Sequence, residues 1–148
     1  MAERPTEDRM ELEQTLASVP LLARLDRKTI KRLAETGKRR TYAAGEEIVR
    51  QGTAGTALYI VLSGRATVER KGTDGPLAEL LPGDFFGELA LLENHERTAS
   101  VVAAEETECL LLVAWEFTAL LKEHPQIAVP IMEALIARLH KSERHIPA

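Results

Sequence analysis

A chain of 148 residues carrying 19 basic and 23 acidic side chains, a formal charge of −4, has the length of one domain and can bury about 70% of its unfolded surface without staples. Its lone cysteine, Cys109, excludes a disulfide framework and a zinc site built from thiolates, and a net negative chain with no basic block longer than Lys38-Arg39-Arg40 argues against direct DNA binding. Met1 to Arg9 is polar, and no apolar run approaches the roughly 20 residues a bilayer requires, so the expectation is a soluble cytoplasmic protein without a membrane partner.

Residues from about Thr6 to Thr36 read as helical with a break at Val19-Pro20. Asp26 is placed to cap a helix whose Ile30, Leu33 and Ala34 share one face, and Gly37 stops it. From Lys38 to Val113 the period changes. Short runs rich in Val, Ile, Leu, Thr and Tyr alternate with glycine turns, the pattern of a sandwich or barrel. The predicted strands are 39–43, 47–51, 57–63, 65–71, 76–81, 98–103 and 107–113. Gly64 is predicted to turn a tight hairpin, Gly72-Thr73-Asp74-Gly75 the next, and Gly52-Thr53-Ala54-Gly55 reads as a hairpin turn, since no Gly-Lys-Thr or Gly-Lys-Ser of a phosphate loop follows it.

After these strands, Trp115 to Leu121 begins a helix that His124-Pro125 ends or bends. Trp115 and Phe117 are expected to anchor the core. A last helix runs to about Glu143 with Pro130 in its first turns, a stripe of Ile131, Leu135 and Leu139, and Arg138 and Ser142 together on a neighbouring face. His95, His124, His140 and His145 form no H-x-H or H-E-x-x-H spacing, so no metal site is expected. Cys109, among Leu110, Leu111 and Leu112, reads as a small core residue.

One segment interrupts the strands: Phe86-Gly87-Glu88-Leu89-Ala90-Leu91-Leu92, then Glu93-Asn94-His95-Glu96, then Arg97-Thr98-Ala99-Ser100-Val101. Gly87 lets a ligand approach the backbone, the first amides of the turn at Leu89 and Ala90 are free to donate to an anion, and Arg97 offers a guanidinium fork to that anion. Glu88 would repel a phosphate but would accept hydrogen bonds from sugar hydroxyls. A sugar phosphate with a free hydroxyl satisfies all three groups. The competing structural reading makes Arg97 a salt-bridged surface residue and Glu88 a helix-start charge.

These residues, in this order and spacing, resemble the phosphate-binding cassette of the cyclic-nucleotide-binding domain family, and the resemblance extends over about residues 19 to 142. It implies a mainly β fold with flanking helices, a β-roll or jelly-roll barrel with N-terminal helices and C-terminal lid helices. Residues 1–18 would then be a helical extension and 143–148 a tail. It also implies roles: Glu88 accepting from the ribose 2′-hydroxyl, Arg97 holding the cyclic phosphate, Thr98 adding a hydroxyl or amide, and Phe86, Gly87, Leu89, Ala90 and Ala99 lining the pocket. Arg138 and Ser142 fall where catabolite-activator-type members reach the nucleotide from the last helix; otherwise they are solvated positions. The connector departs from the family, which often carries a glycine and ends in proline. Asn94 is able to take the left-handed conformation, whereas Glu96 places an acid beside Arg97.

The resulting expectation is a cyclic-nucleotide sensor, not an enzyme, that binds cAMP, with cGMP as the other ligand, and closes a lid helix over it. Its expected partners are an effector protein and a second copy held through the C-terminal helix. The alternative is a nucleotide-independent interaction or dimerisation module. The chain stops at Ala148, where the family's regulators attach a helix-turn-helix, so no direct DNA contact is expected of it.

Overall fold

The computed structural model describes residues 5–23, 25–52, 57–87 and 99–144. Its elements are helices α1 (Pro5–Ala17) and α2 (Arg27–Thr36), strands β1 (Lys38–Tyr42), β2 (Glu47–Val49), β3 (Ala57–Ser63), β4 (Ala66–Glu69), β5 (Ala78–Leu80), β6 (Phe85–Phe86), β7 (Ser100–Ala103) and β8 (Thr107–Val113), then helix α3 (Ala114–Glu123), a 3-10 turn (Pro125–Ile127) and α4 (Ala128–Arg144).

The strands form two antiparallel four-stranded sheets, β1-β8-β3-β6 and β2-β7-β4-β5. Neither sheet closes on itself, so the result is a roll and not a closed barrel. Consecutive strands change sheet at every connection except β4 to β5, which pair with Thr67 opposite Glu79 and Val68 opposite Ala78. The predicted turn at Gly72 to Gly75 therefore is a hairpin, with both glycines at positive φ.

The other two predicted hairpins are corrected by this topology. β3 and β4 lie in different sheets, so Gly64 is a corner through which the chain crosses from one sheet to the other. At φ +88° its missing Cβ would stand 2.3 Å from the Glu106 carbonyl oxygen and 2.6 Å from Thr107 Oγ1, a space only glycine fits. Thr107, fully buried, locks the corner: its Oγ1 accepts from the Arg65 N–H at 3.1 Å and donates to the Glu105 carbonyl at 2.8 Å or that of Arg65 at 2.9 Å. Likewise β2 and β3 belong to different sheets, so they do not form a hairpin; residues 53–56 of the turn expected between them lie outside the described residues.

At the N-terminus, Asp26 caps α2 as predicted, accepting from the Thr29 N–H at 2.9 Å. Gly37 ends α2 for a reason other than a left-handed turn. Its φ is −69°, and what requires glycine is space, because a Cβ there would meet Leu110 Cδ1 at 2.7 Å and the Leu33 carbonyl oxygen at 2.9 Å. Trp115 is corrected too: it is 73% exposed, while Phe117 two positions on is 1% exposed and takes the core position. Residues two positions apart on a helix point about 200° apart, and only one of the two can face the sheet.

Two apolar layers result. Leu58, Ile60, Leu110 and Leu112 on the outer face of the first sheet pack against Leu16, Leu22, Leu33, Phe117 and Ile127 from the helices and their connections. Tyr42, Tyr59, Val61, Phe86 and Cys109 on its inner face meet Ala66, Leu80, Val101 and Ala103 of the second sheet. β3 is buried at six of its seven positions because both of its faces are covered.

Candidate functional site

The site is framed by the two sheets. Leu81 to Asp84 carries the chain from β5 to β6 through a turn in which the Asp84 carboxylate accepts from the Leu81 N–H at 2.8 Å, and the Asp84 N–H donates to the Leu81 carbonyl at 2.9 Å. β6 follows, a two-residue strand at the edge of the first sheet with Phe85 opposite Ile60 and Phe86 opposite Tyr59. Two residues carry too little periodicity to be legible, and this strand was not predicted. Phe86 is buried and its ring stacks on Tyr59, centroids 4.9 Å apart and planes 11° from parallel.

Gly87 comes next at φ +92°, a conformation that glycine alone adopts cheaply. On the far side of the cassette, half-buried Ala99 leads into β7, in the interior of the second sheet between β2 and β4. Ser100 Oγ accepts from the Gln51 N–H at 2.9 Å, and Gln51 Oε1 accepts from the Lys71 N–H at 3.0 Å, so the re-entry point is tied to the ends of β2 and β4. The described ends of the segment thus lie at the edge of one sheet and in the middle of the other.

Of the predicted site residues, Phe86, Gly87 and Ala99 occupy these two anchor points. Glu88, Leu89, Ala90, Arg97 and Thr98 lie outside the described residues. Arg138 and Ser142 stand one turn apart on α4, which begins its packing on the core through buried Ile131 and continues it through half-buried Ala134 and Leu135. Sequence reasoning missed the Phe86–Tyr59 stack and the Gln51–Ser100 tie, since both join residues distant in the chain. Among the described residues no group of three or more His, Cys, Asp or Glu side chains could hold a metal, and no helix is long and apolar enough to cross a membrane.

Two ionisable groups of the roll interior are shifted from their ordinary values. Burial pushes the Cys109 thiol up to about 12, so it stays protonated and has the character of packing, not of a nucleophile. Burial also raises the Tyr42 phenol; Arg40 pulls the other way, but no hydrogen-bond partner reaches the hydroxyl, so burial prevails.

Two antiparallel sheets joined by connections that cross between them, with helices packed on the outer face of the first, make this a β-roll domain. The family model for the cyclic nucleotide-binding domain matches residues 39–124. Over 109 residues, 72% of this chain and 50% of its relative, the sequence is 40% identical to the cyclic AMP receptor protein of Thermus thermophilus. Among solved structures, one described as Sp-2Cl-cAMPS bound to PKAR CBD2 superposes with a TM-score of 0.78 at 26% identity, covering 95% of both chains. A regulatory subunit of a cAMP-independent protein kinase A from Trypanosoma cruzi, bound to guanosine, does so with a TM-score of 0.73 at 30% identity, over 89% of this chain and 48% of that one. This chain belongs to the cyclic-nucleotide-binding domain family. It spans half the length of the Thermus relative.

Proposed function

We propose that the chain is a sensor of cAMP, with cGMP as the competing ligand, and has no catalytic activity of its own. The observation that carries the reading is that the chain leaves the edge of the first sheet at the positive-φ Gly87 and re-enters the interior of the second at Ala99. In this reading Glu88 accepts from the ribose hydroxyl, the free amides at Leu89 and Ala90 donate to the phosphate with Arg97, and Thr98 adds its hydroxyl. Phe86, Gly87 and Ala99 line the pocket, and Arg138 and Ser142 reach it from α4. Ligand contacts draw the cassette inward and α4 repacks over the base, a population shift driven by contacts made only in the closed state. The cytoplasm is the compartment, and the signal passes to an effector protein or through a homodimer formed by α4.

Calorimetric titration with cAMP and cGMP tests this, repeated on Arg97→Ala. Removing a cation buried against a phosphate is expected to cost about 2 to 5 kcal/mol, at least about thirtyfold in affinity. A loss below about threefold would end the role given to Arg97.

A second reading has its own support. Trp115, Met132 and Ile136 are more than half exposed on α3 and α4, and a relative of the same fold is bound to guanosine, which has no phosphate. A nucleotide-independent interaction module would expose such side chains to a partner. Absence of heat with either cyclic nucleotide at millimolar ligand, with an unchanged melting temperature, selects it. Guanosine in a third titration separates a nucleoside pocket from no pocket.

A further inference from the structure

Charge is distributed very unevenly along this chain. Seven of its 19 basic residues and one of its 23 acidic residues lie in 27–40, so that stretch carries +6 and the remainder −10. The fold turns the stretch into one helix and one strand, α2 and β1, joined at Gly37. All seven cations are exposed. Two already hold carboxylates: Arg39 grips Glu108 with Nε and Nη2, both at 2.9 Å, and Arg32 meets Glu123 at 2.6 Å. Among the described residues, Arg27, Lys28 and Lys31 on α2 and Lys38 and Arg40 on β1 have no carboxylate within ion-pair distance.

β1 is also an edge strand. Among the described residues β8 is its one strand neighbour, and four of its five residues are exposed. Such an edge presents a row of backbone donors and acceptors ready to pair with another strand. Cations along it repel edges of like charge and attract an acidic strand.

We propose that the outer edge of β1, flanked by the cationic side of α2, docks an extended acidic segment of a partner protein, which adds to the sheet as a further strand with its carboxylates against Lys38 and Arg40. The Arg39–Glu108 pair shows the geometry with which this strand already receives a carboxylate. Nucleic acid fits less well. The strand is about 17 Å long and the helix about 15 Å, whereas a duplex carries a charge every 1.7 Å or so and would run onto the acidic remainder. The stretch also has no aromatic side chain on which a base could stack. The proposal is independent of the nucleotide pocket.

The test is fluorescence anisotropy of a labelled ten-residue peptide of alternating glutamate and valine, with the full chain and with the double variant Lys38→Glu/Arg40→Glu. Wild type is expected to bind the peptide at low salt, to lose it as salt approaches about half molar, and to bind it at least about tenfold more tightly than the variant does. A peptide of the same charge, N-methylated at alternate residues so that it cannot pair as a strand, should also bind at least about tenfold more weakly. That arm uses the wild-type protein and stands even if the variant misfolds. Equal binding by the variant or the N-methylated peptide, or no binding at millimolar peptide, overturns the proposal. So does tighter binding of oligothymidylate of equal charge or of phosphatidylserine vesicles. Light scattering that shows a dimer lost in the variant would place a second copy there instead and overturn the partner assignment.

Discussion

The two faces of the first sheet are packed by different chemistry. The outer face, under the helices, is closed by aliphatic side chains such as Leu58, Ile60, Leu110 and Leu112, each with no exposed surface. The inner face carries Tyr42, Tyr59, Phe86 and Cys109 and meets small residues, Ala66 and Ala103, from the second sheet. The outer layer holds sheet to helices. The inner layer, which includes Phe86, adds stacked rings, small side chains and one hydroxyl without a hydrogen-bond partner to aliphatic residues such as Val61, Leu80 and Val101. Both faces are buried, and Phe86, at the described start of the cassette, belongs to the inner one.

The comparison breaks most visibly in the outer layer. Leu110→Ala should cost about 2 to 5 kcal/mol, because packed helices cannot collapse onto the cavity; a denaturant midpoint shifted by less than a fifth of that would deny the layer its role. Next comes the corner between layers. Gly64→Ala should cost on the order of 3 kcal/mol, backbone strain plus the clash with Glu106 and Thr107. Gly72→Ala, at nearly the same φ but with nothing within 4 Å, should cost only the roughly 1 to 2 kcal/mol of strain. Equal losses at the two positions would show that the corner is not tight.

Within the inner layer, Tyr42→Phe deletes the unpartnered hydroxyl and is expected to leave stability unchanged or to raise it by about 1 kcal/mol. A loss of more than that, seen in the same unfolding titration, would mean that the hydroxyl is satisfied. The smallest effect lies outside both layers. Hydrogen bonds from Thr29 hold the Asp26 carboxyl below its ordinary value of 3.8. Its contribution is therefore fully present above about pH 4 and is lost as pH falls through the lower folded-state value. Asp26→Asn should flatten the acid limb of the stability curve and change little near neutrality, which unfolding midpoints taken from about pH 6 down to 3 would check.

The regions most legible in the sequence were those whose signals are local. Asp26 three residues before Thr29, Pro125 after α3, and the glycines of the β4–β5 turn each act on their own neighbours, and each appears in the fold as read. The cassette was legible as a motif, and its described ends fall where the strands stop. Gly64 was misread because a positive-φ glycine between two strands looks the same whether the chain folds back or crosses to another sheet. β3 gave no help: with both faces buried, Leu58 to Leu62 has no alternation to say which side is inner. Trp115 was misread because residue type favours burial, whereas the register of α3 awards the core position to Phe117.

What the amino-acid sequence determined by itself was the supply of parts: short β-branched runs, glycines at the turns, a capped helix, a cassette with its carboxylate and arginine, and a stretch of concentrated positive charge. Those follow from dihedral preference, hydrogen bonding and charge, which act within a few residues. Tertiary structure alone decided which strands share a sheet, which face of the first sheet meets helices, and that the cationic stretch ends on an edge strand. Those outcomes depend on burying surfaces from segments far apart in the chain, and no local pattern encodes the partner against which a surface is buried.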